Sequence, residues 1–393
     1  MLLGIFGGGG AVTGFRKNTE MHHAPSPSRL FITGMLRSGT TLLENLINTH
    51  NPARVLYQPC MPLFTGVKNA FLASLGHDPA RYPLGPLFPE NRYTPDDFLS
   101  FLSTYRPSTW PGIPTKIDDE KQYTGSLADM LPRFWSLLGS EKESPVLGAK
   151  EVLCEEYTPY LARQGFKTII VLRDPRDVIT SMNYGGGNRY AGEIRPTLYN
   201  VRIWRKSVAF ALHLVNLGLG RFVRYEDLVR DTEAQTGAIM SWLGVSVEET
   251  LTTLRKELLD DQGQRWSGNS SFEEQAGVSA NSVGRFKDLL PADLITYIET
   301  LCEPEMKALG YIIELEKKNT KETENSISSF DEPLPVTHPA VPADYSTSKN
   351  NILQEKRRIE LLTGSDREYD SEIQQLFIFD DVFETLRGAG CGK

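Results

Sequence analysis

Short runs of apolar and β-branched residues recur along the chain, each bounded by charged or turn-forming residues. Such runs are typical of strands that are buried on both faces of a parallel sheet. Between them, apolar residues recur at helical spacing, as in Thr40–Asn48 and Val201–Leu217. This alternation predicts an α/β fold, a doubly wound parallel sheet of about five strands with flanking helices. The predicted strands are Leu30–Thr33, Arg54–Tyr57, Val146–Lys150, Thr168–Leu172 and Arg221–Arg224.

The two ends of the chain differ from this pattern. Residues 1–28 contain Gly, Pro and His without periodicity and are predicted to be loose, whereas 29–315 form the predicted domain. After residue 316 the chain becomes acidic and is interrupted by Pro, which predicts a linker over 316–350. Residues 351–393 are a predicted tail, with candidate helices at Asn351–Leu362 and Ser371–Arg387. We expect this tail to lie outside the catalytic core, as a solvated tail or accessory helices, with a docking segment for a partner as the alternative, so that a chain ending near residue 316 still folds.

Composition narrows the possible functions. The 393 residues are 40% hydrophobic and 23% charged, with a net charge of −8, which argues against bulk nucleic-acid binding. The four Cys residues show neither metal-ligand spacing nor a disulfide framework, so a reducing, cytoplasmic location is predicted. No apolar run reaches about 18 residues, so no membrane span is predicted. The oligomeric state stays open.

The turn between the first strand and the first helix carries a phosphate-loop pattern. Gly34 and Gly39 bracket four residues, as in G-x-x-x-x-G-K-[ST]. Such a loop points backbone N–H groups inward, and the helix N-terminus behind it favours an anion. Thr40 stands where that pattern has Lys, and Arg37 inside the loop supplies the cation. Nucleoside triphosphatases use that Lys to reach the β- and γ-phosphates, so its absence indicates a different phosphate donor.

A second anion-binding pattern follows the fourth strand. Asp174 can cap a helix and Pro175 suits its first turn, which leaves Arg173 at the strand end and Ser181 two turns along the helix. A guanidinium and a hydroxyl could therefore bind one phosphate at the carboxyl edge of the sheet, where such folds bind ligands. The residues predicted at or just after a strand end are Arg37, Lys150, Arg173 and Tyr225.

Four motifs in this order resemble the sulfotransferases that use 3′-phosphoadenosine 5′-phosphosulfate (PAPS). They are Arg-Ser-Gly-Thr-Thr at 37–41, Arg-Asp-Pro-Arg-Asp-x-x-x-Ser at 173–181, Arg-Tyr-Glu-Asp-Leu at 224–228 and Gly-Arg-Phe-Lys at 284–287. The resemblance covers roughly residues 29–312. It implies the P-loop NTPase-like sulfotransferase fold and transfer of a sulfuryl group from PAPS, without a metal, to a hydroxyl or amine. The acceptor implied is a small molecule, lipid or carbohydrate, with its specificity in residues 60–144.

The resemblance also implies roles for individual residues. The loop holds the 5′-phosphosulfate, Arg173 and Ser181 hold the 3′-phosphate, and the late loop with Ser282 and Arg285 closes over the nucleotide. Tyr225 reaches the nucleotide or packs under it, and both alternatives stay open. Lys150 contacts the bridging or sulfate oxygens. The implied cofactor-binding residues are Arg37, Ser38, Gly39, Thr40, Thr41, Arg173, Ser181, Tyr225, Ser282 and Arg285.

The catalytic base is where this chain departs from the family. Related enzymes place a Glu about twenty residues after the loop Arg, or a His two residues after the strand-end Lys; this chain has Gln58 and Val152 there. Glu151, beside Lys150, is the candidate base and completes a catalytic set with Arg37 and Lys150. It requires the chain to leave the strand right after Lys150, because neighbours in a strand point to opposite faces. The alternatives are Glu155, Glu156, His50, His77 or no base at all.

Two other functions remain open from the sequence. A phosphate-loop nucleotide kinase or phosphotransferase would need the loop Lys and an acidic Mg²⁺ ligand after a strand, and neither is found. A nucleotide-binding regulator without catalysis has the missing base position as its support.

Overall fold

A computed structural model gives the fold of most of the predicted domain and of the segment after it. The residues it describes are 28–50, 52–59, 62–75, 92–94, 96–97, 100, 125–126, 128–129, 131, 135, 144–186, 193–245, 258, 266, 268, 270–272, 277–314, 320–364 and 370–390. The predicted loose segment 1–28, apart from Ser28, and most of the predicted acceptor segment 60–144 lie outside these ranges.

Five parallel strands form the central sheet, as predicted. The strands within the described ranges are β1 Ser28–Thr33, β2 Ala53–Tyr57, β3 Arg92–Tyr93, β4 Gly125–Ser126, β5 Val146–Lys150, β6 Lys167–Leu172 and β7 Gly220–Arg224. The sheet order is β2-β5-β1-β6-β7, while β3 and β4 form a separate antiparallel pair. Lys150 pairs with Ile32 on one side and Tyr57 on the other, so the strands end at one shared edge.

Helices connect the strands and cover the sheet. The α-helices within the described ranges are α1 Thr40–Asn48, α2 Val67–Leu75, α3 Thr158–Arg163, α4 Pro175–Asn183, α5 Thr197–Asn216, α6 Tyr225–Arg230, α7 Thr232–Trp242, α8 Phe286–Leu289, α9 Ala292–Ala308, α10 Thr320–Ser328, α11 Lys349–Thr363, α12 Asp370–Phe377 and α13 Asp380–Gly390. The predicted α1 is found with the same bounds. The helix predicted from Val201 begins earlier, at Thr197, directly after Pro196, which occupies the N-cap position.

The sheet is buried on both faces, which confirms the doubly wound prediction. Successive residues of β6 point to opposite sides, as the pleat requires. Ile169 and Val171 belong to the core cluster that contains Leu43 of α1, whereas Ile170 belongs to the cluster around Trp204 of α5. The near-continuous apolar pattern of β6 follows from this two-sided burial.

The segment after residue 316 packs into the core on the α5 side. Ile327, Phe330, Val382 and Phe383 are buried in the same cluster as Trp204. The predicted linker 316–350 also contains a helix, α10. The expectation of a solvated tail is therefore wrong for its described residues. The sequence pattern hid this packing because these apolar side chains are widely spaced among charged ones. The domain boundary at 315 stays a prediction.

Polar contacts also attach this segment to the start of α5. Glu332 accepts hydrogen bonds from the backbone N–H of Thr197 at 2.6 Å and from its hydroxyl at 2.8 Å. Ser346 Oγ accepts the N–H of Leu198 at 3.0 Å. The first N–H groups of a helix have no partner within the helix. Residues distant in sequence therefore cap α5.

Two carboxylates and three guanidinium groups form a buried cluster between α5, α9 and α11. Glu355 contacts Arg202 and Arg205, each at 2.8 Å, and Arg358 contacts Glu305. Burial alone would raise the pKa of Glu355, but the guanidinium groups of Arg205 and Arg202 hold it well below its ordinary value. Glu355 is therefore charged, and α11 is attached to α5 through ion pairs sheltered from water.

The last predicted helix is divided in two. The sequence pattern predicts one helix over Ser371–Arg387, but α12 ends at Phe377 and α13 begins at Asp380. Ile378 lies between them with φ 73°, a left-handed conformation that interrupts a helix. The turn places the ring of Phe379 on His213 of α5, with 3.8 Å between ring centroids. Packing against α5 thus overrides the helical periodicity. The other predicted tail helix, Asn351–Leu362, is found within α11.

Candidate active site

The loop between β1 and α1 requires glycine at both ends. Gly34 has φ 154°, and a Cβ there would lie 2.4 Å from the carbonyl oxygen of Val171. Gly39 precedes α1 with φ 95°, and a Cβ there would lie 2.5 Å from the ring of Tyr225. Any side chain at either position would collide with a neighbouring strand or ring. The loop therefore lies flat against β6 and Tyr225, with the first turn of α1 at the sheet edge.

Arg37 connects this loop to α4. It has φ 66°, and its Nε donates a hydrogen bond to Ser181 Oγ at 3.0 Å. The Ser181 hydroxyl also lies 2.8 Å from that of Ser271. Asp174 caps α4 by accepting the N–H of Arg176, with Pro175 in the first turn, as the sequence predicted. This cap sets the start of α4 and so places Ser181 opposite the loop.

Arg173 lies on the other side of the loop. Its guanidinium donates to the carbonyl oxygen of Arg37 at 3.1 Å and to that of Ser282, and lies 4.7 Å from the centroid of the Tyr225 ring. The Tyr225 hydroxyl lies 2.8 Å from Ser282 Oγ. Arg173 is buried, and its Nε has no hydrogen-bond partner among the described residues. A buried guanidinium N–H without a partner fits an anionic ligand.

Lys150 closes the site on the side of β2. Its Nζ lies 3.3 Å from Thr41 Oγ1, 3.4 Å from Glu44 Oε2 and 3.4 Å from the centroid of the Tyr57 ring. Thr41 and Glu44 are one turn apart on α1, so the same helix face contacts the ammonium twice. Both Lys150 and Glu44 are buried.

These side chains surround one cavity of about 310 Å³ at the carboxyl edge of the sheet. Three cations, Arg37, Lys150 and Arg173, line it, which makes it suited to an anionic ligand. The predicted site residues in its lining are Arg37, Gly39, Thr40, Thr41, Lys150, Arg173, Ser181, Tyr225 and Ser282.

Three predicted site residues are not in this lining. Ser38 is buried within the loop. Arg285 lies near the ring of Phe272, with 4.3 Å from its Cζ to the ring centroid. Glu151 is fully buried, and its N–H donates to Ile32 at 2.9 Å, so the chain is still in register with β1 beyond Lys150.

The position of Glu151 corrects the candidate base. Because the strand register continues through Glu151, its side chain points away from that of Lys150. It faces Cys154 and Tyr157, whose pKa values are raised by burial and, further, by the negative charge of Glu151. Burial raises the pKa of the Cys154 thiol well above its ordinary value, so this region is shielded from water. The structure therefore does not bring Glu151 to the cavity.

The alternative bases are also elsewhere. Glu156 is paired with Lys206 at 2.8 Å, and Glu155 accepts a hydrogen bond from Ser207. His50 is buried outside the lining, and burial lowers its pKa. His77 lies outside the described residues.

Sequence reasoning missed several lining residues. Tyr57, Trp266, Ser271 and Phe272 line the cavity with the predicted set. Tyr57 could have been found, since it ends β2 beside Lys150 in the sheet. The other three belong to a stretch with no periodicity, so no local signal marks them. Glu44 could have been found from its spacing three residues after Thr41.

One region of the chain matches a known protein family. Residues 154–310 match the family model described as a sulfotransferase domain. The match includes Arg173, Ser181, Tyr225 and Ser282, while the loop and Lys150 precede it. No curated protein sequence matches the chain significantly.

The solved structures similar to this chain share little sequence identity with it. The sulfotransferase domain from the curacin biosynthetic pathway is 18% identical over 74% of this chain and 100% of that chain, with a TM-score of 0.43. Retinol dehydratase in complex with retinol and PAP is 14% identical over 74% and 84%, with a TM-score of 0.35. A sulfotransferase from Mycobacterium avium is 17% identical over 75% and 79%, with a TM-score of 0.38.

Within the described residues, no helix combines the length and apolar character needed to cross a bilayer. In the same part of the chain, no group of three or more His, Cys, Asp or Glu side chains could hold a metal ion.

A titratable carboxylate, Glu226, contacts the backbone next to Arg173. Glu226 accepts hydrogen bonds from the N–H of Asp174 at 2.8 Å and from the Tyr311 hydroxyl at 3.1 Å. Burial raises the pKa of Glu226 from 4.5 to about 7. A raised carboxyl pKa favours the folded state below the unfolded value, and this contribution is lost as pH rises through 7.

We therefore expect Glu226 to lower the free energy of unfolding by about 3 kcal/mol between pH 5 and pH 8. Urea unfolding at both values measures this, with Glu226→Gln as the uncharged mimic and Glu233→Gln, at an exposed position on α7, as the control. The loss of unfolding free energy between pH 5 and pH 8 should be smaller in Glu226→Gln than in the other two proteins. An equal loss in all three proteins would contradict the assignment.

Proposed function

We propose that this protein transfers a sulfuryl group from PAPS to a hydroxyl or amine of a small-molecule, lipid or carbohydrate acceptor. The observation that carries the proposal is the grouping of Arg37, Lys150 and Arg173 around one cavity at the carboxyl edge of the sheet. The family match gives a sulfotransferase domain, and the choice of PAPS as donor rests on these cations and on their spacing in the sequence.

The two ends of the cavity suit two separate phosphates. Arg173 and Ser181 would hold the 3′-phosphate, because both line the cavity and the Nε of Arg173 has no hydrogen-bond partner among the described residues. Thr40 and Thr41, with the N-terminus of α1, would hold the 5′-phosphate. Arg37 lines the cavity and donates a hydrogen bond to Ser181, so its guanidinium could contact either phosphate.

Lys150 is the residue best placed to assist the transfer. PAPS supplies an SO₃ group on a phosphate leaving group, and negative charge develops on the bridging oxygen as the group departs. Lys150 contacts Thr41, so its ammonium lies beside the proposed 5′-phosphate site. A cation fixed in a shielded site stabilises developing charge without reorganising, typically by about 10²–10³-fold in rate.

The proposal assigns no general base. Within the described lining of the cavity there is no carboxylate and no imidazole, and Glu151 faces away. Gln58 and Val152 occupy the lining near Lys150. The acceptor and the cytoplasmic location remain predictions.

Ligand-induced thermal stabilisation tests the donor. We expect 3′-phosphoadenosine 5′-phosphate (PAP) to stabilise the protein by about 2.7 kcal/mol at a hundredfold excess over its Kd, a shift of several degrees in Tm. ATP with Mg²⁺ should stabilise less, because the loop has Arg37 and no Lys. Adenosine 5′-phosphate is the matched control, since it lacks only the 3′-phosphate that Arg173 and Ser181 would bind.

The outcomes separate the candidate functions. Stabilisation by ATP with Mg²⁺ but not by PAP would favour a phosphotransferase and contradict the proposal. Binding of PAP without any turnover would indicate a nucleotide-binding regulator. Incubation with PAPS and metabolite extracts, followed by mass spectrometry for products heavier by SO₃, would identify the acceptor.

A further inference from the structure

Glu44 is a buried carboxylate that contacts Lys150 and does not line the cavity. Its Oε2 lies 3.4 Å from Lys150 Nζ, and only 1% of the residue is exposed. Thr41, one turn earlier on α1, contacts the same Nζ at 3.3 Å and lines the cavity. Glu44 is not in that lining. A bound ligand would therefore meet Lys150 and Thr41, while Glu44 stays on the protein side of the ammonium.

The surroundings of Lys150 disfavour its charged, ammonium form. The residue is fully buried, and removal from water disfavours an ammonium. From β1 it faces Ile32, which is apolar, and from β2 it faces the ring of Tyr57. Two further cations, Arg37 and Arg173, line the same cavity and also disfavour a third positive charge.

Among the described residues, Glu151 and Glu44 are carboxylates close to Lys150, the first in sequence and the second in space. Glu151 follows it directly, but its side chain points to the opposite face of the sheet. Glu44 is the one that contacts the ammonium, at a distance where an opposite charge favours the protonated form. Carboxylate, hydroxyl and ring together hold Nζ at the end of β5, next to the first turn of α1.

We propose that Glu44 is a positioning residue, which keeps Lys150 protonated and aimed at the leaving-group oxygen. The proposal rests on the proposed function for what Lys150 does in turnover. There the bond between sulfur and the phosphate oxygen breaks while a bond from sulfur to the acceptor forms. The electron pair stays on the phosphate oxygen, whose charge the Lys150 ammonium stabilises, and the acceptor proton passes to water.

The reactivity of the amine tests the electrostatic part without any substrate. Acetic anhydride acetylates only neutral amines, and mass spectrometry can follow Lys150 across a pH series, with the exposed Lys287 as the internal reference. In Glu44→Gln the onset of Lys150 acetylation should fall by about one to three pH units relative to the wild-type protein. Glu44→Asp keeps the charge on a shorter side chain, so its onset should lie between the two.

Turnover tests the catalytic part. With an acceptor found by the product screen, Glu44→Gln should lower kcat by about 10²-fold and shift the alkaline limb of its pH profile downward, with PAP affinity nearly unchanged. Glu44→Asp should recover part of the rate. A purely structural role would lower Tm without moving either pH dependence.

The two parts fail separately. An acetylation onset equal to the wild-type value in Glu44→Gln, or in Glu44→Asp if only that variant folds, overturns the positioning role. If the onset moves but PAP does not bind, the proposed function fails and the control of Lys150 by Glu44 stands. If the onset moves and PAP binds but kcat is unchanged, Lys150 has no part in the transfer and the catalytic role of Glu44 is refuted.

Discussion

A chain ending at residue 315 is expected to lose cooperative unfolding. The removed segment buries about a dozen apolar side chains against the main core, Phe330, Phe377 and Phe383 among them. Each contributes about 1.5–3 kcal/mol on burial, before the entropy cost of ordering the segment, whereas a typical domain has a net stability of only about 5–15 kcal/mol. The caps that Glu332 and Ser346 supply to α5 are lost as well. Thermal unfolding followed by circular dichroism measures the result.

A pair of point variants tests the same packing without truncation. Glu355→Gln removes the charge that Arg202 and Arg205 share and leaves buried guanidinium groups uncompensated, which should cost about 3–5 kcal/mol. Glu360→Gln on the same helix removes an exposed pair with Arg357, worth about 1 kcal/mol or less. A truncated chain that melts cooperatively, together with equal losses in the two variants, would show that the segment is an independent appendage.

The sheet and the phosphate loop could be predicted from the sequence because their signals are local. Strands buried on both faces are continuous apolar runs, as in β6. The spacing of Gly34 and Gly39 is a local signal for the loop, although the contacts that require glycine there come from Val171 and Tyr225. Asp174 and Pro175 are a local signal for the start of α4. Residues that follow strand ends in a parallel sheet lie at the same edge of that sheet. For this reason Lys150 and Arg173 could be predicted to lie close together.

The remaining features depend on contacts between distant segments. The choice of Glu151 assumed that the chain turns after Lys150, but a hydrogen bond to Ile32 continues the register and reverses the side-chain direction. The tail resembled a solvated extension because its charge is acidic overall. Glu355, a buried charged residue of the tail, pairs with Arg202, about 150 residues earlier in the chain. No local pattern encodes such pairs.

Arg173→Ala is expected to weaken PAP binding by about ten- to a hundredfold. The guanidinium is buried, and its Nε has no hydrogen-bond partner among the described residues, so a 3′-phosphate there would gain a charge-assisted hydrogen bond. Such bonds are worth about 1.5–3 kcal/mol. The same side chain also holds the carbonyl oxygens of Arg37 and Ser282, so some loosening of the loop is expected in the variant.

Measuring two ligands on the wild-type protein and on two variants separates the contact with the 3′-phosphate from this loosening of the loop. Calorimetry gives the affinities of PAP and of adenosine 5′-phosphate for the wild-type protein, for Arg173→Ala and for Arg221→Ala, a control at an exposed position on β7. If Arg173 binds the 3′-phosphate, Arg173→Ala should lose most of the preference for PAP over adenosine 5′-phosphate, while Arg221→Ala keeps it. If both ligands weaken by the same factor in Arg173→Ala, the residue shapes the loop only, and another cation of the cavity must bind the 3′-phosphate.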